Sequence, residues 1–164
     1  MKRLNLVMLI AAFVCTANTA NASDFGFKGL EARGGVVLPQ NWDPGWTGGI
    51  GLDLGEIIDH LRLFGGLGYS KSGDSDLDWS ITDIAVGAEV RYYLEREAKG
   101  FYFGAGAYQH FINTDFGNTN RVSPVGIAGY RWPSQSGAFM LEARYETGSI
   151  FRGPQLLAAF AFGL

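Results

Sequence analysis

The sequence predicts an all-β fold: a transmembrane, antiparallel, up-and-down β-barrel of eight strands. Three observations predict it. Successive stretches of about ten residues alternate apolar with small or polar side chains at period two, the repeat of strands and not of helices. Within those stretches the charged residues keep almost entirely to one parity. And 24 glycines stand beside 14% aromatic residues, while no apolar stretch after residue 22 approaches the about 20 residues that a spanning helix needs. A chain without such a helix crosses a bilayer only as a closed barrel, in which every strand edge is paired.

The first 22 residues read as a targeting segment. Met1-Lys2-Arg3 supplies a basic start, Leu4–Cys15 a short apolar core, and Ala20-Asn21-Ala22 a small-residue cleavage site. This pattern predicts a secretory signal peptide over 1–22, removed before Ser23. Cys15 is the only cysteine and leaves with it, and Val14 beside it argues against lipid attachment there. The domain expected over 23–164 therefore needs no disulfide. It carries 11 basic against 16 acidic residues, a net charge of −5. No basic patch points to nucleic acid, and the apolar content excludes a disordered chain.

The strands follow in order. The first is expected over about 27–38, with Leu30, Ala32, Gly34, Val36 and Leu38 on one face. Pro39–Gly45 reads as a turn. The second, about 46–54, sets Trp46, Ile50, Leu52 and Leu54 against Thr47, Gly49, Gly51 and Asp53. A turn over 55–60 leads to the third, about 61–71. After an acidic loop, 72–78, the fourth runs over about 79–94. A charged turn, 95–100, precedes the fifth, about 101–112, where Phe103, Ala105, Ala107 and Phe111 oppose Tyr102, Gly104, Gly106, Tyr108 and His110. Residues 113–120 are expected as the longest loop. The sixth strand, about 121–132, contains Pro124, which cannot donate to a ladder and implies a bulge or a strand end. The seventh, about 138–146, alternates Phe139, Leu141, Ala143 and Tyr145 with Met140, Glu142, Arg144 and Glu146. The eighth is Gln155–Leu164, with Leu156, Phe160, Phe162 and Leu164 opposite mostly small residues.

Apart from Lys28 and Lys71, placed near strand ends where long side chains snorkel, the strand charges share one face. That face carries Glu31, Arg33, Asp53, Arg62, Asp83, Glu89, Arg91, Arg131, Glu142, Arg144 and Glu146. Six acids against five arginines nearly cancel, as charges inside a narrow tube must, since an unpaired buried ion costs several kcal/mol. Glycines on the same face leave room for the arginines. The opposite face is apolar. Its aromatics sort to the strand ends: Tyr92, Phe101, Phe103, Tyr130, Trp132, Phe139 and Phe162 at one, Trp46, Tyr69, Trp79, Phe111 and Tyr145 at the other. A bilayer with two interfaces selects two such belts.

With these residues in view, the chain resembles the small eight-stranded bacterial outer-membrane barrels of the outer-membrane protein A and protein X type. The resemblance covers nearly all of 25–164. It rests on Phe101-Tyr-Phe-Gly-Ala-Gly-Ala-Tyr108, Gly126-Ile-Ala-Gly-Tyr-Arg-Trp132 and the C-terminal strand, which departs from the usual terminal Phe or Trp by ending in Leu164. The resemblance implies a Gram-negative outer membrane, both termini in the periplasm, and contact with outer-membrane lipids including lipopolysaccharide. It also implies insertion by the barrel-assembly machinery, with Phe160, Phe162 and Leu164 as the assembly signal, and a monomeric, structural or envelope-interaction role without catalysis.

Candidate chemistry is sparse. Some such barrels modify lipid A, and a deacylase would pair an outward histidine with a nearby serine and a carboxylate. His110 is inward by parity, and the residue two positions on is Ile112. His60 falls in a turn beside Asp59 and reads as solvated. Two distant histidines and no cysteine after residue 15 make no metal set, and no cofactor is expected. Asp74, Asp76 and Asp78 alternate, but without a closing Glu they read as a solvated loop. Gly65-Gly66-Leu67-Gly68 lies within a strand and is no phosphate loop. A soluble lipocalin-like barrel remains the other reading of the strand count; it would carry its charges outward around an apolar cavity. A wide pore is disfavoured, because eight strands leave an interior that side chains just fill.

Overall fold

The structure, a computed structural model, describes residues 25–40, 42–74, 79–115, 117–147 and 152–163. The expected signal peptide, Asp76, Asp78 and Leu164 lie outside these residues. Among them are eight strands: β1 Phe25–Val37, β2 Gly45–Ile58, β3 Leu61–Asp74, β4 Trp79–Tyr93, β5 Gly100–Thr114, β6 Gly117–Ser134, β7 Gly137–Glu146 and β8 Gly153–Gly163. Each pairs with the next and β8 returns to β1, so the sheet closes into an antiparallel up-and-down barrel. Closure brings Gly29 opposite Gly163, which puts the start of β1 and the end of β8 at one rim.

The elements depart from the expected ones in four places. β2 runs on to Ile58, through part of the expected turn, by register shifts between Asp53 and Glu56 and between Glu56 and Ile58. Asp53 Oδ1 accepts from Gly55 N at 2.9 Å, so the bulge takes its bond from a side chain where the ladder slips. The expected loop at 113–120 is a hairpin: β5 continues to Thr114, which pairs with Gly117 of β6. β3 runs on to Asp74, three residues into the loop expected over 72–78, and Asp74 pairs there with Trp79. And β6 passes through Pro124, paired with Ala107 in unbroken register. Pro124 is tolerated because its carbonyl accepts from Thr147 N, so its missing donor faces the β7 side. There the ladder starts only at Val125, opposite Glu146.

Period-two burial is plainest in β5, β7 and β8, and β7 shows it without interruption, from Ala138 buried and Phe139 exposed through Glu146 buried. The large apolar side chains that stay exposed come from all eight strands, among them Leu30, Ile50, Leu67, Val86, Phe103, Val122, Leu141 and Leu156. The buried set is mixed. Besides the charged residues it includes an apolar and aromatic cluster of Phe64, Tyr93, Ala98, Tyr102, Tyr108, Val125 and Ile127. A second cluster, Val37, Ile81 and Ile112, lies toward the rim of the β1–β2, β3–β4 and β5–β6 connections. The interior is thus layered, not purely ionic as parity alone suggested.

Candidate functional site

The charged side chains of the interior fall into separate groups. Six come together at mid-barrel: Glu31 and Arg33 from β1, Glu89 and Arg91 from β4, Glu142 and Arg144 from β7. Arg91, with no solvent exposure, is the hub. Its Nη1 and Nη2 donate to Glu31 Oε1 and Oε2, each at 3.0 Å, and its Nε donates to Glu89 Oε1 at 2.8 Å. Two parallel bonds to one carboxylate are the geometry that a planar guanidinium allows and an ammonium does not. Glu142 Oε2 lies 3.4 Å from Arg91 Nη2. Arg144 Nη2 reaches Glu89 Oε2 at 2.9 Å, and its Nε is bonded to Glu142 Oε1. Arg33 Nη2 stands 3.1 Å from Glu31 Oε2 and 3.4 Å from Glu89 Oε1, within ion-pair distance but off the line of a hydrogen bond. Three arginines face three glutamates, so this layer is neutral.

Aromatic side chains complete it. Tyr102 Oη donates to Glu142 Oε2 at 2.7 Å and Tyr108 Oη to Glu89 Oε2 at 2.6 Å. The Arg91 guanidinium carbon sits 4.1 Å from the centre of the Phe64 ring, a cation–π contact between two fully buried side chains. Phe64, which the sequence pattern left without a role, shares the even parity of Arg62 and Gly66 and could have been placed by it. Glycines make the room. Glu31 is opposite Gly51, Arg33 opposite Gly49, Glu89 opposite Gly106, Arg91 opposite Gly104 and Glu142 opposite Gly129. A Cβ on Gly66 or Gly129 would lie 2.5 Å from the hydroxyl of Tyr108 or Tyr102. The lumen glycines therefore serve the tyrosines as well as the arginines.

Three other groups stand apart. Asp53 and Arg62 form their own pair, at 2.9 and 3.3 Å. Asp83 Oδ2 accepts from His110 Nδ1 at 2.6 Å, and His110 Nε2 lies 3.5 Å from Glu146 Oε2. Arg131 is half-buried, its Nη1 without a hydrogen-bond partner. A cavity of about 50 Å³ lies between the mid-barrel layer and the Asp83–His110–Glu146 group, and touches Arg33, Arg144, Asp83, His110 and Glu146. At the other rim a cavity of about 300 Å³ is bordered by Glu56, Asp59, His60, Arg62, Arg96 and Glu97. His60 is not the solvated turn residue expected. Its side chain is 19% exposed, its Nδ1 donates to Tyr93 O at 2.9 Å, and its ring stacks 5.8 Å from Tyr92. No group of three or more His, Cys, Asp and Glu suited to a metal ion exists among the described residues.

On the outer face, Trp46, Tyr69, Tyr92, Phe101, Phe103, Phe111, Trp132, Phe139, Tyr145 and Phe162 are exposed. Tyr130 is half-buried, its ring 4.7 Å from Phe101 and 4.5 Å from Trp132. Phe160 packs at 4.8 Å from Phe139 and 4.7 Å from Phe162. Trp79 does not belong with them. Its odd number gives it the parity of Ile81 and Asp83, and it turns inward against the Val37–Ile81–Ile112 cluster, its ring 4.5 Å from Trp42. An apolar cap thus covers the charged interior at that rim.

These features define a class: a closed eight-stranded antiparallel barrel, apolar outside and ion-paired within. No helix among the described residues is long and apolar enough to cross a membrane, which says nothing of crossing by strands. The chain is similar in structure to the de novo designed barrel TMB2.3, solved by solution NMR, at 16% identity and a TM-score of 0.44 over 85% of this chain and 96% of that one. It is similar to Ail, the attachment invasion locus protein of Yersinia pestis, at 14% identity and a TM-score of 0.44 over 84% of this chain and 98% of that one. No family model matches the sequence, and no curated protein matches it.

Proposed function

We propose that this protein is a small bacterial outer-membrane β-barrel with a structural or envelope-interaction role and no catalytic activity. The observation that carries the reading is the inversion of sides. Leu141 is 57% exposed while Glu142 beside it is 3% exposed, and the same alternation runs round the ring. In water the exposed apolar side chains of eight strands would form a continuous belt far beyond the few hundred Å² that soluble monomers tolerate. In a bilayer that belt meets acyl chains. A lipocalin-like reading would need this geometry reversed, with an apolar cavity inside.

In this reading residues 1–22 export the chain and are cleaved, and the barrel-assembly machinery inserts it as a monomer with both ends periplasmic. Its standing partners are outer-membrane lipids, including lipopolysaccharide. Against a lipid A deacylase stands His110, 1% exposed and turned to the lumen, away from any acyl chain. Cell fractionation with a heat-dependent gel shift tests the proposal. It requires recovery in the outer-membrane fraction and a folded band that migrates differently from the boiled one; a soluble periplasmic protein without a shift refutes it. Unchanged lipid A masses on deletion are expected, and a change that His110→Ala fails to restore would revive the enzyme reading.

A further inference from the structure

We propose that Asp83, His110 and Glu146 form a buried proton-holding site, in which Glu146 keeps its proton at neutral pH and shares it with water in the adjoining cavity. The charges of the interior do not balance evenly, whichever membrane holds the barrel. Arg33, Arg91 and Arg144 are matched by Glu31, Glu89 and Glu142, and Arg62 by Asp53. Asp83 has His110 at 2.6 Å. Glu146, whose side chain is 8% exposed, has no cation left to itself. His110 Nε2 is 3.5 Å away, and the same imidazole already serves Asp83. On β6, Arg131 is six positions from Val125, the residue opposite Glu146, about 20 Å by the rise of a strand; Arg121, opposite His110 and exposed, is four positions from Val125 in the other direction, about 13 Å. One imidazole between two buried carboxylates leaves a negative charge uncompensated, and two carboxylates sharing a site hold a proton between them more readily than either would alone.

The surroundings suit a proton and water more than a metal ion. Around His110 on β5 stand Asp83 from β4, Arg33 from β1, and Arg144 and Glu146 from β7. Tyr108 of β5 adds a hydroxyl, and β2, β3 and β8 contribute the neutral Thr47, Ser70 and Gln155. Among the residues that line the cavity, Asp83 Oδ1, His110 Nε2, and Arg33 Nε and Nη2 make no hydrogen bond. They include both donors and acceptors. A bare cation would satisfy Asp83 and repel Arg33, and an anion would do the reverse. Water does both, and about 50 Å³ exceeds the roughly 10–15 Å³ that a single molecule needs.

Infrared spectroscopy of the full barrel in lipid vesicles tests this. At pH 7 a protonated-carboxyl C=O band is expected, shifting in D2O and disappearing in Glu146→Gln. Because glutamine copies the neutral acid in shape and bonding, Glu146→Gln should keep the heat-dependent gel shift and the wild-type melting temperature at pH 7. It should also resist the fall in melting temperature that alkaline pH brings to the wild type. No protonated-carboxyl band at pH 7, or a band that survives Glu146→Gln unchanged, overturns the proposal. So does a melting temperature that rises specifically with sodium over choline at fixed pH, which would put a metal cation in place of the proton.

Discussion

Replacing Arg91 by leucine removes the hub of the mid-barrel layer while leaving a side chain of sufficient bulk between Phe64 and Tyr102. Arg91 makes two bonds to Glu31 at 3.0 Å and one to Glu89 at 2.8 Å, and is fully buried. Without it, Glu31, Glu89 and Glu142 share only Arg33 and Arg144, so one carboxylate is left without a counter-charge. Breaking a buried pair from one side costs about 3–5 kcal/mol, a shift of roughly two to three and a half decades in the folding equilibrium. The second partner decides the cause. Adding Glu31→Gln removes the surplus charge, so the double variant should recover at least half of the loss, whereas two independent packing defects would add. Arg91→Lys should fall between, since a point charge cannot hold the two-pronged contact. Reversible urea unfolding in lipid vesicles, followed by tryptophan emission and by the gel shift, measures the wild type, Arg91→Leu, Glu31→Gln, the double variant and Arg91→Lys. A loss below about 1 kcal/mol for Arg91→Leu, or strict additivity with Glu31→Gln, would refute the reasoning.

Three further outcomes follow from the same geometry. Leu141→Arg should cost about 2–4 kcal/mol in vesicles, the range for arginine facing acyl chains at mid-bilayer. Gly129→Ala should lose about 1–3 kcal/mol, because its Cβ would lie 2.5 Å from Tyr102 Oη and 2.9 Å from Leu141 O. Gly126→Ala on the same strand, with nothing within 4 Å, should be near neutral, so unfolding curves of the two separate crowding from a general intolerance of β6. Trp79→Ala should quench the contribution of the Trp42–Trp79 pair to near-ultraviolet circular dichroism and loosen the cap over Ile81 and Ile112, leaving the outer apolar belt and the gel shift intact.

The strands and their faces were legible because period two survives within a single segment, and one residue's parity fixes its neighbours'. Trp79 was misplaced when its position at a strand end outweighed its number, although Ile81 and Asp83 two and four residues on already set its side. Residues 113–120 read as a loop from their Asn, Thr and Gly content. Composition does not show that β4 and β6 flank β5 that far, and pairing on both sides keeps Asn113 and Thr114 extended. Pro124 looked like a strand end because the sequence does not reveal that β7 stops beside it. The groupings of charge were least legible. Glu31 and Arg91 meet from 60 positions apart, through the stagger of a closed ring, and no periodicity inside β1 or β4 carries that. Parity could say that His110 points inward with Asp83 and Glu146, but not that the three converge.

The most direct test of the whole account is a facing scan of β7. Residues 16–164 contain no cysteine, so single cysteines at 139 to 143 can be spin-labelled one at a time in a barrel reconstituted into vesicles. Oxygen, which concentrates among acyl chains, should relax the labels at 139, 141 and 143 strongly. A water-soluble nickel chelate should leave those three untouched, and labels at 140 and 142 should be shielded from both reagents. Ready access of the chelate to position 141, or of oxygen to 142 in preference to 141, would contradict an apolar outside wrapped around an ion-paired interior.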